Sequence, residues 1–106
     1  MDKKELQSRT KQFGVDVIAL IRNLPSDVAA SHVGHQLAKS STAVGANYRA
    51  SCRAKSKADF VSKMGTVEEE ADESLYWLEV LVDSHIVARK TVDSAIRNQS
   101  AIRNPQ

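Results

Sequence analysis

Hydrophobic residues recur at intervals of three, four and seven positions along most of the chain. In the first segment, residues 2–24, these intervals are set by Leu6, Phe13, Val17, Leu20 and Leu24. That spacing is the period of an α-helix with one buried face. Pro25 ends the helix, because proline disfavours helical geometry at the residue before it, and Ser26 or Asp27 then caps the next helix.

A second helix is predicted over residues 26–51, where the apolar line is thinner. It runs through Val33, Leu37, Val44 and Tyr48. Among these residues lie small side chains, namely Ser40, Ser41, Thr42, Ala43, Gly45 and Ala46. Small side chains let another helix backbone approach closely, and a buried helical hydroxyl can donate to the carbonyl one turn earlier. The run therefore predicts a tight crossing between two helices.

The third helix, predicted over residues 56–84, has the strongest pattern. Its stripe, in steps of four and three, consists of Phe60, Met64, Val67, Ala71, Leu75, Leu78 and Val82. This spacing indicates one face buried in a bundle. A weaker pattern over residues 86–102 predicts a fourth helix. Only 4 Gly and 2 Pro are present, too few for the frequent turns of a sheet-rich fold, so we expect one all-α, four-helix domain over residues 1–106.

The back of the third helix is also apolar near its C-terminal end. At about 100° per residue, Tyr76 and Val80 project away from the core stripe, and Trp77 lies on its flank with Leu81. A helix that is apolar nearly all round must be covered on more than one side. Four helices offer no second layer, so we expect a homo-oligomer with Tyr76, Trp77 and Val80 in its interface. Alternatively, Trp77 and Leu81 complete the internal core and only Tyr76 and Val80 are exposed.

The composition fits one small domain. The chain has 106 residues, of which 42% are hydrophobic and 26% charged, enough for a single core but not for two. Cys52 is the only cysteine, which excludes an internal disulfide and a cysteine-based zinc finger and suits a reducing cytosol. The mixed-charge N-terminus is unlike a signal peptide or a membrane span. We expect a cytoplasmic protein with no membrane association and no cofactor.

Charge is unevenly distributed, although the formal net charge is only +2. Residues 59–83 hold eight acidic residues and one lysine, whereas residues 49–58 hold four basic residues and no acid. The four basic residues are Arg49, Arg53, Lys55 and Lys57. Clustered cations bind phosphate backbones without reading sequence, so this loop is a candidate nucleic-acid site whose affinity an oligomer would multiply. The alternative is a solvated loop whose arginines face the negative C-terminal end of the second helix.

The acidic residues of the third helix offer a second candidate site, one that would bind a metal ion. Glu69, Glu70 and Glu73 form a pattern, Glu-Glu-x-x-Glu, with which all-helical nucleotide pyrophosphatases hold magnesium. The later pair, Glu79 and Asp83, is spaced one residue too far for the second half of that motif. We therefore interpret the run as a solvated acidic face, or one that pairs with the basic loop of a neighbouring subunit, and expect neither a metal site nor catalytic residues.

Three blocks of the sequence resemble a known family. They are residues 36–48 (QLAKSSTAVGANY), residues 56–60 (SKADF) and residues 70–78 (EADESLYWL). In this order and spacing they resemble a bacterial four-helix-bundle family noticed in the intervening sequences of large-subunit ribosomal RNA genes. That family also includes the accessory variability proteins of diversity-generating retroelements. The match runs from about Leu6 to Val82.

The resemblance implies an antiparallel up-and-down four-helix bundle that assembles into a ring-like homopentamer. For the retroelement members it also implies a basic surface that engages nucleic acid and a reverse transcriptase. Two departures stand out: many members carry an acidic residue shortly after the Asn47-Tyr48 pair, where this chain has Arg49, and the last helix is short. We expect a non-enzymatic homo-oligomeric scaffold or adaptor that binds RNA or DNA. The alternatives are a pure protein-interaction module and, third, a magnesium-dependent nucleotide pyrophosphatase.

Overall fold

A computed structural model describes residues 2–103 of the chain. Within that range it contains four helices and no strand, as the hydrophobic periodicity predicted. They are α1 (Lys3–Ile21), α2 (Val28–Ser51), α3 (Lys57–Asp83) and α4 (Arg89–Arg103). Each helix packs against the preceding one, and α4 packs back against α1, which closes the bundle. The connections are short, so neighbouring helices run antiparallel.

Side chains cap the first three helices at their N-termini. Asp2, Asp27 and Ser56 accept hydrogen bonds from backbone N–H groups three residues later, at 2.8, 2.8 and 3.0 Å. All three capping residues have extended backbone, as N-caps require. Of the two caps that the sequence allowed for α2, the structure selects Asp27. The first helix ends at Ile21, earlier than predicted, because the chain tightens into shorter turns before Pro25.

One face of each helix is buried in a common core. Its largest fully buried apolar side chains are Phe13, Leu37, Leu78 and Leu81. A few large apolar side chains remain exposed outside this core, namely Val15, Val28, Phe60, Val61 and Tyr76. In the described part of the chain, no helix is long and apolar enough to span a membrane. The exposed apolar residues are therefore candidate contact surfaces for a partner.

The buried face of α3 differs from the predicted stripe. Its buried residues are Val67, Ala71, Ser74, Leu78 and Leu81. Met64, Leu75 and Val82 are only half-buried, and Phe60 is 43% exposed, so the predicted stripe is fully buried at only three of its seven positions. The buried residues repeat about every 3.5 positions, as in helices that pack along their length, whereas the predicted stripe followed the slightly longer period of a straight helix.

The first two helices cross at close range over the small residues. A Cβ atom added to Gly45 would lie 3.2 Å from the carbonyl oxygen of Thr10, and one added to Gly14 would lie 3.4 Å from that of Ser41. At Gly45 the backbone of α1 leaves too little room for a Cβ atom, so the close approach there favours glycine, whereas a Cβ atom at Gly14 would make an ordinary contact. The hydroxyls of Ser40 and Ser41 donate to carbonyls three residues earlier. Both features confirm the tight crossing that the run of small residues predicted.

A buried polar contact holds α4 against α3. The Gln99 side chain is almost fully buried, and its Nε2 donates to the Ala71 carbonyl oxygen at 2.8 Å. Its Oε1 is buried without a hydrogen-bond partner among the described residues. Val92, Ala95 and Ile102 supply the buried apolar contacts of this helix. The last helix is thus attached by a short apolar face and one hydrogen bond that crosses between helices.

Candidate functional site

The candidate nucleic-acid site lies at the loop between α2 and α3. Arg53 and Ala54 donate their backbone N–H groups to carbonyls three residues earlier. The backbone N–H of Lys55 donates to Asp59 Oδ2 at 3.0 Å, and Lys63 Nζ donates to Asp59 Oδ1. The hydrogen bond from Lys63, followed by the one from Lys55, lowers the pKa of Asp59. Hydrogen bonds at both ends therefore fix the backbone of this short loop.

All four predicted basic residues are exposed around this loop. Arg49 lies in the last turn of α2, Arg53 and Lys55 lie in the loop, and Lys57 is the first residue of α3. Within residues 2–103, the ion pairs lie inside α3 and inside α4 and include none of these four. The structure thus leaves four solvated positive charges at this end of the molecule, which we call the basic end.

Two residues that the charge pattern did not include join the basic end. Lys3, from the start of α1, and Phe60, from the first turn of α3, line a shallow depression of about 400 Å³ together with Tyr48 and Cys52. Burial of Tyr48, with a smaller effect of its hydrogen bond to Cys52, raises the pKa of the tyrosine. An exposed aromatic ring beside cations is a stacking surface for nucleobases. No local pattern points to Lys3, because only packing brings the start of α1 beside the α2–α3 loop.

The predicted interface residues lie towards the outer side of α3. Tyr76 is 56% exposed, whereas Trp77 and Val80 are half-buried and Leu81 belongs to the core. The Trp77 ring stands edge-on to Tyr76 with centroids 4.9 Å apart. Its Nε1 donates to Glu73 Oε2 at 3.3 Å. A single chain therefore covers much of Trp77 and leaves Tyr76 as the main uncovered apolar residue of this helix half.

The acidic run spreads along the outside of α3 instead of converging. Glu69 and Glu73 are exposed, and Glu70 is half-buried. Burial, followed by the charge of Glu73, raises the pKa of Glu70, and the charge of Lys39 opposes that rise. Asp83 lies ten residues beyond Glu73, about 15 Å along the helix. Among the described residues, no group of three or more His, Cys, Asp or Glu side chains is placed to hold a metal ion.

An open groove follows the outer side of α1 and α2 at their close crossing. It has a volume of about 490 Å³, and its small lining residues are Thr10, Gly14, Thr42, Gly45 and Ala46. Lys11 and Arg49 also line it, as does the half-exposed Val15. None of its described lining residues is acidic. The small residues that permit the crossing also leave the surface above it unfilled, which the sequence alone did not show.

Comparison with known proteins identifies the family. A family model described as 23S rRNA-intervening sequence protein matches residues 3–104. The chain belongs to this family. A crystal structure from Bacteroides thetaiotaomicron VPI-5482, described as a protein with unknown function from the S23 ribosomal protein family, is similar to it with a TM-score of 0.88. The two share 28% sequence identity over 94% of this chain and 93% of that one. No curated protein matches the chain.

Membership in the 23S rRNA-intervening sequence protein family confirms the resemblance that three sequence blocks indicated. The family match extends over all four helices, including α4, where the sequence resemblance had weakened beyond Val82. Neither description names an activity. The basic end and the uncovered helix faces are the features of this 23S rRNA-intervening sequence protein that bear on its function.

Proposed function

We propose that this 23S rRNA-intervening sequence protein is a non-enzymatic, homo-oligomeric scaffold or adaptor that binds nucleic acid at its basic end. The observation that carries the proposal is the group of exposed cations there, which no ion pair neutralises within residues 2–103. Phosphate groups would pair with these cations, and an unpaired base would stack on the exposed ring of Phe60. Such contacts read no base edges, so the binding is independent of sequence.

The second part of the proposal is that the chain assembles into a ring of five subunits, as the family resemblance implies. Support comes from Tyr76, an exposed aromatic residue flanked by half-buried Trp77 and Val80, because exposed apolar patches with aromatic anchors mark association surfaces. A ring would repeat the basic end, so one strand would contact several copies and bind by avidity. A reverse transcriptase, if one is encoded nearby, is a protein partner that such a scaffold would position.

Fluorescence anisotropy with generic single-stranded RNA and DNA, over a range of salt concentrations, tests the nucleic-acid part. The test variant removes the four charges of the basic end: Arg49→Gln, Arg53→Gln, Lys55→Gln and Lys57→Gln. If all four cations contact phosphates, the slope of log affinity against log salt should shrink by roughly 3 per bound chain, and affinity at low salt should fall by at least about 100-fold.

The control variant removes the same charge from exposed residues elsewhere, namely Arg9→Gln, Arg22→Gln, Lys90→Gln and Arg97→Gln. It should keep most of the affinity and most of the salt slope, because contact with phosphate and not net charge sets both. The nucleic-acid part is wrong if the wild-type protein does not bind, or if the two variants lose affinity equally.

Light scattering tests the assembly. We expect the wild-type protein to have the mass of several chains and Tyr76→Asp to have the mass of one. Burying an unpaired carboxylate at the centre of an interface has a large desolvation cost. Val28→Asp places the same charge at a residue that is 87% exposed at the start of α2, and it should keep the wild-type mass. A monomeric wild-type protein would contradict the assembly.

A pure protein-interaction module is the second candidate function, and the exposure of Tyr76 is the observation that favours it. Its signature would be an intact oligomer that retains neither RNA nor DNA at low salt and whose protein partners co-purify after nuclease treatment. The third possibility, a magnesium-dependent pyrophosphatase, has no comparable support, because its carboxylates do not converge among the described residues.

A further inference from the structure

The groove along α1 and α2 has a charged end and an apolar end. Lys11 and Arg49 line the charged end, and Val15 and Ile18 line the apolar end. Glycine and other small residues form the floor between these ends, so few side-chain atoms fill the groove there. A groove of this kind accepts the side-chain ridge of another helix.

The outer side of α3 carries a pattern complementary to that of the groove, with a charged part followed by an apolar part. We call this surface, formed by Glu69, Tyr76 and Val80, the ridge. Glu69 and Tyr76 are both exposed and lie two turns apart, away from the buried face of the helix. Along the chain the acidic residue comes first and the aromatic residue second, and Val80 extends the apolar part by one turn. No lysine or arginine occurs between Lys63 and Arg89. From Glu69 to the end of α3, the outer side of the helix therefore presents negative charge and apolar surface with no cation of its own helix among them.

We propose that the α1–α2 groove of one copy receives the outer side of α3 from a second copy. Glu69 then faces Lys11 at the charged end. Tyr76 covers Val15 and Ile18 at the apolar end. Lys11 and Ile18 are seven residues apart, as are Glu69 and Tyr76, which is roughly 10 Å at about 1.5 Å per residue. Val15 lies between Lys11 and Ile18 along the groove. This order also sets the direction, because both patterns coincide only when the incoming α3 runs parallel to α1.

The groove and the ridge are different surfaces of one chain, so the contact is head-to-tail. In the described part of the chain, the backbones of α1 and α3 are not neighbours, and the two helices lie diagonally across the bundle. Each copy thus keeps a free ridge or groove for the next, and such contacts close into a ring or grow into a filament. The inference rests on the proposed homo-oligomer and supplies the second surface that Tyr76 needs.

Charge reversal across the two surfaces tests this pairing. Lys11→Glu and Glu69→Lys should each raise the concentration needed for half-assembly by on the order of tenfold, because each brings like charges face to face. The double variant restores opposite charges and should regain most of that loss. Arg9→Glu is the matched control, since Arg9 is exposed on the other side of α1, and it should leave assembly unchanged. Sedimentation velocity over a dilution series measures all four variants.

Disulfide trapping gives an independent readout. In a Cys52→Ser background, Lys11→Cys combined with Glu69→Cys should give a ladder of cross-linked chains on mild oxidation. The backbones of the two helices are not neighbours within one chain, so the expected cross-link is between copies. Arg9→Cys combined with Glu69→Cys is the control and should give no ladder beyond that of either single cysteine.

The outcomes separate this inference from the proposed oligomer. A monomeric wild-type protein would overturn both. An oligomer that Tyr76→Asp dissociates, but that ignores Lys11→Glu and forms no ladder, would overturn the groove as partner surface and leave the oligomer standing. If Lys11→Glu weakens nucleic-acid binding and leaves assembly unchanged, the groove is a nucleic-acid surface and the inference is also wrong.

Discussion

A residue with positive φ ends α3. His85 has a φ of 62°, in the left-handed region where a Cβ atom is crowded by the following carbonyl. The N–H groups of His85 and Ile86 donate to the carbonyls of Val82 and Leu81, each at 3.0 Å, which is the hydrogen-bond pattern of a Schellman motif. We expect His85→Gly to raise the free energy of unfolding by about 1 kcal/mol, as measured by urea unfolding. His85→Ala keeps the Cβ atom and should give no gain; equal effects of the two variants would contradict the argument.

Asp59 makes the basic end sensitive to acidic pH, because its carboxylate accepts hydrogen bonds from the loop and from α3. Its hydrogen bonds with Lys63 and with the Lys55 backbone lower its pKa. A lowered carboxyl pKa stabilises the fold above the ordinary aspartate pKa of about 4, and this stabilisation is lost as pH falls through the lowered value. We expect Lys63→Met to raise the pKa of Asp59, measured by NMR titration of its carboxyl carbon. Lys90→Met should leave that pKa unchanged; an unmoved pKa in Lys63→Met would refute the pairing.

Among the helices, two glycines have opposite roles. Beside Gly45 the nearest atoms are backbone atoms of α1, at 3.2 and 3.3 Å from an added Cβ, whereas Gly65 has no such atom within 4 Å. Gly45→Ala should lower the free energy of unfolding by about 1–3 kcal/mol, because α1 must move away. Gly65→Ala should raise it by up to about 1 kcal/mol through helix propensity. Urea unfolding of both variants tests the crossing, and a gain in both would contradict it.

The helices were predictable because their signal is local. Periodicity and the caps before Val28 and Lys57 depend on residues within a few turns of one another. The exact buried face of α3 was not predictable in the same way, because Ser74 and Leu81 enter the core only when neighbouring helices impose a shorter repeat. Hydrophobicity alone favoured Leu75 over Ser74, yet Ser74 is buried with its hydroxyl 2.9 Å from that of Ser40 on α2.

Over the whole molecule, the charge pattern finds those residues of the candidate site that are neighbours in the chain. Three of the four cations of the basic end lie between Arg53 and Lys57, so a charge count finds them. Phe60 follows Lys57 by one helical turn, whereas Lys3 joins them only because the bundle brings the start of α1 beside the α2–α3 loop. The α1–α2 groove likewise depends on two segments about thirty residues apart, and Arg49 belongs both to the groove and to the basic end.

Avidity links assembly to nucleic-acid binding. Tyr76→Asp keeps every cation of the basic end, so its affinity for an oligonucleotide that reaches only one chain should equal that of the wild-type protein. For a long single strand, the wild-type oligomer contacts several copies, and the loss of assembly should lower affinity at least about tenfold. Anisotropy with both lengths at one salt concentration measures the difference. Equal affinity of the two proteins for the long strand would mean that each chain binds alone, and the oligomer would then serve to position protein partners.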